Sequence, residues 1–184
     1  MYRQYCNLQD VDKQMVTEKK TSVAVVMGSD SDMAVMQSCI DMLGQFGIKP
    51  VVRIISAHRT PQEAAEFAQN AARNGIKVII AAAGMAAHLS GALAARTALP
   101  VIGVPLISSS GLEGVDALLS TVQMPPGVPV ATMAIGKAGA KNAAILAAQI
   151  LALSDDRLVG KLAEFKKAQK KKVVEKDSAL QQDS

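Results

Sequence analysis

Apolar and polar residues follow one another along this chain in blocks of two different periods. "SVAVVMG" is a short continuous apolar run, the pattern of a strand buried on both faces. From Asp32 to Phe46, by contrast, Met33, Met36, Ile40 and Leu43 recur at helical spacing. "PVVRII" predicts a second strand, followed by a helix opening at Pro61. Proline is favoured at a first helical position, and Thr60 before it is a good N-cap residue. "KVIIAAA" predicts a third strand, a glycine-containing loop and a helix over His88 to Thr97. "PVIGVPL" and "VPVATMAI" predict a fourth and fifth strand. An alanine-rich helix is expected from Gly139 to Leu153 and a polar one from Asp155 to Lys172.

Strands that alternate with helices build a parallel sheet covered on both faces, with right-handed crossovers. The expected fold is therefore α/β: a three-layer, doubly wound, flavodoxin-like sheet of about five strands with a C-terminal helix. A single domain over 23–172 is expected, preceded by a flexible extension (1–22) and followed by a disordered tail (173–184). The first stretch, "MYRQYCNLQDVDKQMVTEKKT", lacks the apolar core of a secretory signal. Val78 to Ala95 is uncharged over nearly the length of a membrane span. It contains Gly84, His88, Ser90 and Gly91, so strand, loop and buried helix are expected there, and no membrane segment.

Apolar residues make up 49% of the chain but aromatics only 3%, so alanine and the branched aliphatics must do the packing. Small side chains let helices approach closely and suit self-association surfaces. The net charge of +4 stems largely from Lys166, Lys167, Lys170, Lys171 and Lys172. Without aromatics nearby to stack on bases, this run reads as a solvated helix face, not a nucleic-acid site. Cys6 and Cys39 have neither metal nor redox spacing and fit a reducing cytoplasm.

Ligands of doubly wound sheets sit beyond the carboxyl ends of the strands, so those ends are where chemistry is sought. After the first strand, "MGSDSDM" offers Ser29, Ser31 and Asp32 at a helix start, where orphan amides attract an anion. It is neither a Walker A loop nor a dinucleotide fingerprint, and by itself reads equally as a capped polar turn. After the second strand, "SAHRTP" offers Ser56, a forked cation in Arg59, and His58, whose reference pKa of about 6.5 suits proton transfer. After the third, "AAAGMAAHLSG" offers Gly84, small neighbours that leave room for a flat ring, and His88, which reads equally as a core histidine. Brought together, these groups make a site for a small phosphorylated molecule with one proton-transfer group. No metal spacing is present, and no metal or cofactor is expected.

"MGSDSD", "SAHRTP", "AAHL" and "LLSTVQMPPGVPVATMAIGKAGAKNAAILAAQILA" closely resemble the class I PurE family, the N5-carboxyaminoimidazole ribonucleotide (N5-CAIR) mutases of purine biosynthesis. The resemblance runs from about Val23 to Lys172. Class II relatives, which use aminoimidazole ribonucleotide (AIR) and free CO2, typically have lysine where this chain has Arg59. The resemblance implies conversion of N5-CAIR to 4-carboxyaminoimidazole ribonucleotide (CAIR) without cofactor or metal. It implies that Ser29, Asp32, Ser56 and Arg59 hold the ribose phosphate and sugar, with Ser31 beside them. His58 would be the acid and base, and Gly84, His88 and Leu89 would border the imidazole and carboxylate. It further implies a homo-octamer and an ATP-dependent N5-CAIR synthetase as functional partner.

The chain departs from the family pattern in three places. Met33 stands where an aromatic commonly follows the first motif. The third motif has Met85 where the family usually has the second of two glycines, and Ser90 in place of proline. The loop over 105–114 is one residue longer. An AIR carboxylase using free CO2 and a non-catalytic nucleotide-binding subunit are the alternatives.

Overall fold

The computed structural model describes residues 22–109 and 111–182. The extension expected over 1–22 lies outside them except for Ser22. The chain alternates through β1 (Val23–Met27), α1 (Met33–Gln45), β2 (Val51–Ile54), α2 (Pro61–Ala71), β3 (Val78–Gly84), α3 (Leu89–Ala94), β4 (Val101–Leu106), α4 (Val115–Val122), β5 (Ala131–Thr132), α5 (Gly136–Ala152) and α6 (Asp156–Gln182). The five strands are all parallel in the order β2-β1-β3-β4-β5, the flavodoxin-like order expected from the sequence.

Alternate strand residues feed two separate cores, which is why the strands read as unbroken apolar runs. Val23, Val25 and Met27 of β1 and Val78, Ile80 and Ala82 of β3 pack with α1, α5 and Leu158 of α6. Ala24, Val26, Ile79 and Ala81 face the other way, onto Ala64, Ala68 and Ala71 of α2 and Leu89 and Leu93 of α3. On α5, Ala140, Ala143, Ala144, Ala147 and Ala148 are fully buried. A ridge of methyl groups brings this helix close to α1 and the sheet. Gly139 begins that ridge because a Cβ there would overlap the carbonyl of Ala134. Cys39 is buried on α1, and burial pushes its thiol up to about 12, so it is an inert core residue.

The structure differs from the sequence expectation in four places. Helix α4 lies between the fourth and fifth strands, where no element was expected. It follows a glycine with left-handed backbone (Gly114, φ 82°), and Val115, Leu118, Leu119 and Val122 recur at helical spacing, so the signal was available, although Val115, Leu119 and Val122 point outward. Strand β5 is only two residues long, and α5 begins at Gly136, ahead of Gly139. Helix α3 starts at Leu89 with His88 as its N-cap residue. Finally, the tail expected to be disordered beyond Lys172 is helical through Gln182. No glycine or proline interrupts it, and Lys171 pairs with Glu175 one turn on at 3.6 Å. Among the described residues no helix is long and apolar enough to cross a membrane.

Candidate active site

The carboxyl ends of β1, β2, β3 and β4 open onto one cleft of about 730 Å³. Each wall is set by how its strand ends. After β1, Ser29 has extended backbone (φ −150°) and caps a single 3-10 turn over Asp30–Asp32. Asp32 accepts a hydrogen bond from the Ser29 backbone N–H at 3.0 Å, and the Ser29 hydroxyl accepts from the Ser31 N–H at 3.4 Å. The two seryl oxygens, Ser29 Oγ and Ser31 Oγ, are 3.0 Å apart. This reciprocal box holds hydroxyls and amides at the start of α1. Burial pushes the Asp32 carboxyl above its ordinary value, against the backbone N–H groups of Ser29 and Gly28 that stabilise its charge; Asp30 adds to the rise.

After β2, the chain is pinned by Thr60, whose hydroxyl accepts from the Ser56 N–H and donates to the Ser56 carbonyl, both at 3.0 Å. Thr60 thus occupies the N-cap position of α2, but its hydroxyl closes the preceding turn and makes no bond to the helix. That turn leaves the Ser56 hydroxyl to accept from the Arg59 N–H at 3.2 Å and from Arg59 Nε at 3.4 Å. Arg59 Nη2 donates to the Gly28 carbonyl at 3.2 Å. The guanidinium therefore lies across the ends of β1 and β2 and lines the same cleft as Ser29 and Ser31.

After β3, Gly84 still pairs with Leu106 of β4, and a Cβ on it would come within 3.3 Å of the Leu106 carbonyl. The turn that follows passes Met85 in the left-handed region and closes with the His88 N–H on the Ala86 carbonyl at 2.7 Å. It delivers the His88 ring to the His58 ring. His58 Nε2 and His88 Nδ1 are 2.8 Å apart, with the rings edge to face at 81° and centroids 5.0 Å apart. One nitrogen of this pair donates and the other accepts, so two imidazoles 30 positions apart share a proton.

The cleft gathers Arg59, the hydroxyls of Ser29, Ser31 and Ser56, and the two imidazoles around a glycine-lined gap that buried Leu89 also borders. Residues 22–172 match the family model described as AIR carboxylase. The chain belongs to the AIR carboxylase family. It is 54% identical over 157 residues to the N5-carboxyaminoimidazole ribonucleotide mutase of Haemophilus influenzae, covering 85% of this chain and 95% of that one. The mutase of Thermotoga maritima is 52% identical over 160 residues, covering 87% and 92%. The crystal structure of Treponema denticola PurE superposes with a TM-score of 0.77 at 32% identity, covering 86% of this chain and 97% of that one.

In this member of the AIR carboxylase family, Ser29, Ser31, Asp32, Ser56, His58, Arg59, Gly84, His88 and Leu89 all line the one cleft. Ile107, Ser108 and Ser109 line it as well and were not among the residues singled out from the sequence. The signal was available: these residues follow the fourth strand as the other walls follow the first three. The fold also accounts for the uncharged stretch from Val78 to Ala95, which is β3, the Met85–His88 turn and α3.

Proposed function

We propose that the cleft converts N5-CAIR to CAIR, making this chain an N5-CAIR mutase of purine biosynthesis. The observation that carries the reading is what the one cleft brings together: a cation and three hydroxyls with a hydrogen-bonded imidazole pair. Arg59, Ser29, Ser31 and Ser56 bind the phosphate, a forked donor with hydroxyls matching its oxygens. Asp32 accepts from the ribose side. Gly84, His88 and Leu89 border the flat ring.

His58 acts first as acid. It protonates the exocyclic nitrogen as the N–C bond to the carboxylate breaks, releasing CO2 and AIR inside the site. Ring carbon C4 then attacks CO2, and neutral His58 takes the proton that C4 gives up. One residue donates and recovers one proton, so the cycle closes without cofactor or metal. His88 orients the His58 ring and shares its proton between the two steps. Confinement turns recombination of AIR with CO2 into a local event.

The exposed apolar residues Leu112, Val115, Leu119 and Val122 on and before α4 favour burial against further copies of the chain. A cytoplasmic homo-octamer fed by an ATP-dependent N5-CAIR synthetase completes the reading, with no nucleic acid or membrane as partner. The purified protein is expected to form CAIR faster from N5-CAIR than from AIR with bicarbonate; the reverse order would make free CO2 the substrate.

Asp32 provides a second check. Because burial raises its folded pKa above the ordinary 3.8, its ionised form costs stability in the ligand-free protein. That cost is absent below 3.8 and complete above the raised value, so this group makes stability fall as pH rises through the window. Asp32→Asn keeps an oxygen for the Ser29 N–H. It is expected to leave Tm at neutral pH unchanged or higher while kcat/KM falls. A Tm loss that grows from acid to neutral pH would contradict the assignment.

A further inference from the structure

Met85 holds a backbone conformation that its residue type rarely adopts. Its φ is 54°, in the left-handed region where a long L side chain is an outlier kept in place by its surroundings. Between Ile80 and His88 every other residue is alanine or glycine, so Met85 carries the one long side chain at this strand end. It lines the cleft and is 49% exposed. Gly84 and Leu106 are register partners, so the residues that follow them, Met85 and Ile107, leave the sheet next to each other. Ile107 also lines the cleft and is 59% exposed. Two apolar side chains thus stand at the rim of a polar cleft, and Met85 comes three residues before the histidine that contacts His58.

We propose that Met85, with Ile107 beside it, closes over the ring of the bound nucleotide and retains the CO2 released in the first step. This rests on the reaction proposed above. Once the N–C bond has broken and before the C4–C bond forms, AIR and CO2 are held by no covalent link, and turnover depends on neither leaving. A thioether on three rotatable bonds can follow a flat ring and pack against it. An apolar rim also keeps water from the reacting carbon. Glycine would satisfy the left-handed backbone without strain, so it is the side chain, not the turn, that gives methionine a role here.

The test uses N5-CAIR carrying 13C in its carboxylate, with excess unlabelled bicarbonate and carbonic anhydrase so that escaped CO2 is diluted. The wild type is expected to keep most of the label in CAIR. Met85→Gly should fold at least as stably and assemble as the wild type does, yet lose label several-fold and release free AIR. Met85→Leu should retain label as the wild type does. Unchanged retention in Met85→Gly overturns the proposal. So does an altered oligomeric state in that variant, which would assign the side chain to a subunit contact. A wild type that makes no CAIR from N5-CAIR removes the underlying reaction, and this proposal with it.

Discussion

Asparagine at position 58 is expected to stop CAIR formation while nucleotide still binds. Arg59 is fixed by two hydrogen bonds to the Ser56 hydroxyl and one to the Gly28 carbonyl, and none of the three involves the imidazole. Removing the ring therefore leaves the anion clamp standing. What is lost is the group that gives a proton to nitrogen and takes one from carbon, along with the 2.8 Å contact to His88. General acid–base groups typically contribute about 10²- to 10⁴-fold. Because His58 serves both half-reactions, the loss in kcat should reach the upper part of that range, with nucleotide affinity little changed. Turnover within tenfold of the wild type would show that another group moves the proton.

Arg59→Met should produce the opposite split. The hydrogen bonds that a cation makes to an anion are worth roughly 1.5–3 kcal/mol, or about 10- to 150-fold in kcat/KM, here expressed mainly in KM. The same guanidinium ties the end of β2 to the end of β1 through the Gly28 carbonyl, so part of the loss reflects a looser clamp. Arg59→Lys separates the two contributions. A point charge restores attraction to the phosphate but cannot span Ser56 and Gly28 as a planar fork does. It should recover only part of KM. Steady-state kinetics of both variants check this; an unchanged KM in Arg59→Met would place the phosphate elsewhere.

The strands and their order were legible because burial on both faces writes itself as an unbroken apolar run, as in Val23–Met27 and Val78–Ala82. The strand-end rule then located the cleft, and every residue picked at the first three strand ends lines it. Other features were hidden for physical reasons. The length of α6 depends on the absence of a stop signal after Lys172, which polarity alone conceals. Thr60 is a good N-cap by residue type, yet its hydroxyl closes the Ser56 turn; only the backbone path decides between the two. The contact between His58 and His88 could not be read from the chain at all. It depends on how the Met85–His88 turn aims one ring at another, and no local pattern encodes that direction.

The most direct measurement is the initial rate of CAIR formation from N5-CAIR by the wild-type protein, with a metal chelator present and ATP absent. A working mutase site is expected to give steady turnover that saturates with N5-CAIR. Protein that binds the nucleotide under these conditions but forms no CAIR would contradict the mutase reading.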